Sequence, residues 1–203
     1  MSCEHEHHQH EAPPIETSSA QSLNTQIDFT KLTALNCTTP NSKLYEIFIH
    51  EGEESKITLS SDCDNQLILN IPFVSSVKLY SLILKTSPDN DHCPKKISLF
   101  KNADVDFETT APKNTHHFEQ PLVGEFVEHH LPRRLFTNVH KLTIFFEGNW
   151  SNDEFESLEI LGIELRGEWA PLTKDPIITL YEAAANPADH KSLAQETQDS
   201  ATC

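Results

Sequence analysis

The densest run of metal-ligating side chains in this 203-residue chain is Cys3-Glu4-His5-Glu6-His7-His8-Gln9-His10. Imidazole and thiolate ligate borderline ions such as Zn, Ni or Cu, so His5, His7, His8 and His10 are candidate metal ligands. A fixed site also needs groups that orient each imidazole, and a polar tail supplies none. The tract therefore reads as a solvated segment with incidental metal affinity, and no cofactor is expected. His116-His117 and His129-His130 are adjacent pairs, and neighbours on a strand point to opposite faces, so neither pair chelates by itself. A metal-dependent jelly-roll enzyme would carry His-x-His and a nearby Glu on core strands. Here the His-x-His patterns, His5/His7 and His8/His10, fall in the tail.

Nucleophilic and phosphate chemistry leave no pattern. The chain lacks a Gly-rich phosphate loop, a G-x-S-x-G elbow, H-E-x-x-H and a Walker sequence, and its 5 glycines are scattered. Cys63 lies between Asp62 and Asp64, and Cys93 two residues from Asp91, which disfavours a thiolate. Spacing singles out no acid/base carboxylate pair. No catalytic residue is named, and the chain is expected not to be an enzyme.

Leu161-Gly162-Ile163-Glu164-Leu165-Arg166-Gly167-Glu168-Trp169 invites two readings. In the first it is a strand ending in a turn at Gly167, with Trp169 closing the core and Arg166 pairing with Glu168 at an exposed rim. On that reading Trp169→Ala is costly and Arg166→Ala mild. In the second these residues belong to a binding surface.

Charge narrows the partners. Lys and Arg number 15 against 31 Asp and Glu, a formal net charge of −16. Such a chain is repelled by nucleic-acid phosphates and by anionic membrane surfaces, so neither is an expected partner. No apolar run approaches the ~18–20 residues of a bilayer span. The first basic residue is Lys31, so no basic region precedes an apolar stretch, and the 5 cysteines are widely spaced without C-x-x-C. The expectation is a soluble intracellular protein with reduced thiols.

The elements that must position these residues read as β. Ile57 and Leu59, Ile97 and Leu99, Leu142, Ile144 and Phe146, and Leu161, Ile163 and Leu165 alternate with other residues. Val77 and Leu79 have the opposite parity to Leu82 and Leu84, which calls for a β-bulge near Tyr80–Ser81 or a strand buried on both faces. Leu67-Ile68-Leu69 and Ile177-Ile178 suit central strands. One helix is expected to start at Asp28, with Phe29, Leu32 and Leu35 on one face and Asn36 near its end. Met1–Ser22 and Lys191–Cys203 are too polar to offset the entropy of ordering and read as tails, leaving 23–190 as one domain. Short strands with almost no helix predict an all-β sandwich or jelly roll.

Several stretches go beyond pattern. Asn70-Ile71-Pro72-Phe73 followed by Val77-Lys78-Leu79 resembles the PITH domain, as do Leu99-Phe100-Lys101-Asn102 and Phe136-Thr137-Asn138-Val139-His140-Lys141-Leu142. Leu165-Arg166-Gly167-Glu168-Trp169 and Tyr181 to His190 extend the resemblance in the family's order. The resemblance implies a jelly-roll β-sandwich and association with the 26S proteasome in cytoplasm and nucleus. The thioredoxin module of two-domain relatives, with its C-x-x-C, is absent, so no oxidoreductase activity carries over. Candidate interaction residues are Arg166, Glu168, Asn186, Asp189 and His190, and the default assembly state is a monomer. The alternative function is a carbohydrate- or small-ligand-binding jelly roll.

Overall fold

The computed structural model describes residues 16–50, 53–108 and 115–170. Eight strands follow in chain order: β1 (Thr33–Leu35), β2 (Leu59–Ser60), β3 (Gln66–Thr86), β4 (Pro94–Lys101), β5 (Thr115–Glu119), β6 (Val127–His130), β7 (Val139–Asn149) and β8 (Glu159–Trp169). All their pairings are antiparallel.

The 21 residues of β3 serve two sheets. Gln66–Pro72 pairs with β7 and, on its other edge, with β1, while β7 continues to β4 and β5. The register against β7 shifts between Pro72 and Val77, where Pro72 has no N–H to donate. Beyond that point Val77–Thr86 pairs with β8 and β6, and β8 with β2. Leu67, Leu69, Ile71, Ile97, Leu99, Leu142, Ile144 and Phe146 of the first sheet share one buried cluster with Leu79, Leu82, Leu84, Ile163 and Leu165 of the second. The protein is a β-sandwich whose core lies between these faces.

The parity switch in β3 has the cause anticipated from the sequence. Leu79 faces Gly167 and Ser81 faces Arg166, so Tyr80 is an extra residue that brings Leu82 and Leu84 back to the core. A second slip, between Lys85 and Thr86, corrects the reading of β8: Ile160 is fully buried and Leu161 only partly.

The helix expected from Asp28 to Asn36 is absent. Asp28 instead holds a turn, its carboxylate accepting from the Thr30 N–H at 3.2 Å, and Thr33–Leu35 pairs with β3. Asn36 takes a left-handed conformation (φ 55) and fastens the strand end, its amide donating to the Gln66 carbonyl at 2.6 Å. Phe29 and Leu35 are each 39% exposed, so their spacing marks no buried helix face. Backbone pairing with β3 outweighs a weak helical preference in a Thr-containing segment. Among the described residues the longest helical run is a 3-10 helix, Asn41–Ile47, which buries Leu44 and Ile47.

Residues 19–22, which composition assigns to the N-terminal tail, belong to the described fold. Ser19–Gln21 form a 3-10 turn, Ser22 bridges to Arg166, and the fully buried Leu23 donates its N–H to the Leu165 carbonyl at 2.8 Å. Polar residues are ordered there by backbone pairing and one buried leucine. The expected strand at Ile177-Ile178 and the tail from Lys191 lie outside the described residues, as do His5, His7, His8 and His10.

Candidate functional site

Alternation along β8 sends Leu165 into the core and Glu164, Arg166 and Glu168 to the outer face of the second sheet. An outer face should be wet, yet Glu164 is 1% exposed and Arg166 4%. The cover is the N-terminal segment. Ser22 pairs with Arg166 on β8, while the Thr17 hydroxyl bonds the Glu128 carboxylate on β6, across the β3 strand between them. Beneath it Arg166 donates from Nε to Glu164 Oε1 at 3.0 Å and from Nη2 to Oε2 at 3.3 Å. Burial alone would raise the Glu128 carboxyl, but the Ser81 hydroxyl, then the Thr17 hydroxyl and the charges of His130 and Arg166, hold it below its ordinary value.

This corrects the expected rim pair. Arg166 pairs with Glu164 rather than Glu168 and is no surface residue, because the segment 17–22 roofs it over. Trp169 moves the other way. It faces Val77 at the end of the β3–β8 ladder and is 50% exposed, so it does not close the core. Glu168 is exposed as expected. Its ion-pair partner is Lys78, whose Nζ stands 3.8 Å from Oε2. Burial, then the Glu168 hydrogen bond and charge, push the Tyr80 hydroxyl up to about 12, against the opposing charge of Arg133.

Ser76, Lys78, Asn138, Glu168, Trp169 and Ala170 thus line a shallow cleft of about 80 Å³. Ligand pockets for small molecules run to ~300–1,000 Å³. The cleft suits a side chain of a partner protein better than an enclosed ligand. Lys78 and Asn138 escaped the sequence reading, since strand register decides which residues meet Trp169. The resemblance motif Val77-Lys78-Leu79 was the signal that pointed there. Asn186, Asp189 and His190 lie outside the described residues.

A second polar cluster joins β5 and β6. His129 stacks on Phe118, with centroids 4.0 Å apart, and its Nε2 bonds Gln120 Oε1 at 2.6 Å. Gln120 Nε2 in turn donates to Thr86 Oγ1 at 3.2 Å, so the amide oxygen is the acceptor for His129. Burial first, then the charges of His116 and His130, pull His129 down to about 4. The unfolded imidazole titrates near ~6.5, so between these values the unfolded chain binds the extra proton. Stability is complete above ~6.5 and falls as pH drops toward 4, by about 2 kcal/mol after allowance for partial exposure. Urea unfolding at pH 7 and 4.5 should show this loss, and His129→Gln should remove most of it. An equal pH dependence in both proteins would contradict the assignment.

The three cysteines described here are free thiols. The charge of Asp62 pushes Cys63 up, and burial raises Cys37 and Cys93, so none is activated. Among the described residues no three His, Cys, Asp or Glu side chains converge as a metal site.

A family model described as the PITH domain matches residues 13–185. PITH domain-containing protein 1 of Homo sapiens is 34% identical over 187 residues, covering 89% of this chain and 86% of that protein. Its namesake in Danio rerio is 34% identical over 196 residues, covering 93% and 90%. Among solved structures, the CBM32-1 and CBM32-2 domains of Clostridium perfringens ZmpB in complex with GalNAc superpose with a TM-score of 0.52 at 9% identity. That match covers 79% of this chain and 42% of the other, and it speaks to the sandwich fold alone.

Proposed function

Because the chain belongs to the PITH domain family, we propose that it is a non-catalytic protein-interaction module of the protein-degradation machinery, associating with the 26S proteasome in cytoplasm and nucleus. The family match is the observation that carries this reading. The geometry agrees with it: the polar groups around β8 build either a buried structural pair or a shallow surface cleft. A half-exposed Trp169 flanked by charged, exposed Lys78 and Glu168 is the kind of anchor that dominates protein interfaces. A carbohydrate- or small-ligand-binding role draws less support, because a cleft of about 80 Å³ encloses little of such a ligand.

Charge supplies a test. The chain carries −16, so long-range attraction brings it to a relatively basic region of the partner. The Debye length shrinks from ~10 Å at 0.1 M salt to ~3 Å at 1 M. The full chain should co-sediment with purified 26S proteasomes at low salt and be progressively released as salt rises. Failure to co-sediment at low salt would remove the proteasome from this reading.

A further inference from the structure

Three connections meet at the end of the sandwich where β8 begins: 87–93 between β3 and β4, 120–126 between β5 and β6, and 150–158 between β7 and β8. Hydrogen bonds fasten them together. The Trp150 and Ser151 N–H groups donate to the Asn90 carbonyl at 3.0 and 3.1 Å, and Trp150 Nε1 donates to the Gln120 carbonyl at 3.2 Å. A Cβ on Gly124 would touch Pro88 at 3.5 Å, so the first two connections are also in contact. This end presents apolar side chains to solvent. Phe155 is 90% exposed, and Leu122, Val123 and Phe126 are 38%, 39% and 38% exposed on the neighbouring connection. A single exposed apolar residue needs no explanation. Phe155 stands out because its backbone is pinned. The buried Asn65 and Asn149 amides both donate to the Asp153 carbonyl, at 3.0 and 2.7 Å, and the Asp153 carboxylate accepts the Phe155 N–H at 3.0 Å. A ring held out on fixed backbone loses little freedom when a partner covers it.

The charges on these connections are mostly of one sign. Asp89, Glu125, Asp153, Glu154 and Glu156 are exposed, and none of them joins the ion pairs found among the described residues. No Lys or Arg occurs between Lys141 and Arg166. The nearby lysines are engaged: Lys85 bonds Glu54 and lies over the Phe126 ring, and Lys95 lies over the Trp150 ring. His92 is bonded through Nδ1 to the Ser157 carbonyl. From these observations we propose that this end of the sandwich docks an apolar surface of a partner protein rimmed by Lys or Arg, with Phe155 as the inserted side chain.

Charge selects among the possible occupants. A second copy would set the same carboxylates against these, at a cost that disfavours pairing of like faces. A basic rim meets them favourably, and the apolar centre of the contact supplies the burial that Phe155 lacks. The net charge of −16 draws a basic partner from any direction, and the unpaired carboxylates around Phe155 fix where it lands. β8 runs roughly 30 Å from this end to Trp169, so the surface is distinct from the Trp169 cleft. The inference therefore goes beyond the proposed function by adding a second docking surface with its own partner chemistry.

The test uses the full chain and a fluorescein-labelled amphipathic helical peptide of Leu and Lys, with a counterpart carrying Gln for Lys as control. Fluorescence anisotropy should show the Lys peptide binding about fivefold tighter or better than the Gln peptide. Phe155→Ser should weaken it about fivefold or more with the melting transition retained, since the ring is exposed in the free chain. Glu154→Gln/Glu156→Gln should weaken it about threefold. Glu53→Gln/Asp62→Asn removes two exposed charges elsewhere and should change it by less than about 1.5-fold. Equal binding of the two peptides, indifference to Phe155→Ser, or the same weakening by both charge pairs would overturn the proposal. Self-association of the chain that Phe155→Ser abolishes, without capture of the peptide, would make a second copy the occupant and overturn it too. Phe155-dependent peptide binding by a chain that fails to sediment with proteasomes would leave this inference standing and remove that partner. Sedimentation without peptide binding would remove this inference alone.

Discussion

Arg166→Ala is expected to cost about 3–5 kcal/mol of folding stability, because it leaves Glu164 as a buried carboxylate stripped of its counter-charge. For a domain of this size that lowers the melting temperature by roughly 10 °C. The guanidinium makes two bonds to one carboxylate, at 3.0 and 3.3 Å, under a segment that excludes water, so solvent cannot replace it. The pair itself need not be strongly stabilising, since burying both charges cancels much of their attraction. Glu164→Leu/Arg166→Met should therefore recover most of the loss seen in Arg166→Ala. Thermal and urea unfolding of the three proteins form the comparison. A mild effect of Arg166→Ala, or a double variant as unstable as the single one, would mean that the pair is not closed off from water. Trp169→Ala, by contrast, should cost little stability, because half of the side chain is already exposed.

Gly167→Ala is the second large effect. A Cβ on Gly167 would lie 2.0 Å from the Lys78 carbonyl oxygen and 3.0 Å from Leu23 Cδ1. The first obstacle is backbone of the adjacent strand and cannot rotate away, so β8 must separate from β3 at the bulge. Overpacking typically costs ~1–3 kcal/mol, and a backbone collision falls at the upper end or beyond it. Loss of about 3 kcal/mol is expected, together with disturbance of Lys78 and Glu168 on either side of the break. Gly162→Ala is the control. Its Cβ would meet Ile49 Cδ1 at 2.6 Å, the far end of a side chain that can change rotamer, so the cost should be about half as large or less. Melting temperatures in the order wild type, Gly162→Ala, Gly167→Ala check this, and a Gly167→Ala protein as stable as wild type would contradict it.

The sequence reading succeeded where burial is local and periodic. Leu142, Ile144 and Phe146 alternate because one face of β7 meets the core, and of the two ways to absorb the parity change between Leu79 and Leu82, the bulge near Tyr80 is the one found. It failed where a distant segment decides the environment. Arg166 looked like a rim residue because nothing near it in sequence announces that residues 17–22 cross over it. Trp169 looked like core because aromatic residues usually are, whereas its exposure depends on where the β3–β8 ladder ends. The spacing of Phe29, Leu32 and Leu35 mimicked a helix face, but the strand formed there is imposed by pairing with β3. Of the site, Glu168 was legible as an exposed charge. Lys78 and Asn138 join it only through strand register and the fold around Trp169.

The most direct test of the Trp169 face as a docking surface is co-sedimentation with 26S proteasomes of the wild-type chain against Lys78→Glu/Trp169→Ala, at low salt. Both residues are exposed, so the double variant should keep a melting transition close to that of wild type. Wild type should sediment with the proteasome, and the folded double variant should stay largely in the supernatant. Sedimentation of the double variant to the same extent as wild type would contradict the assignment of the Trp169 face as the docking surface.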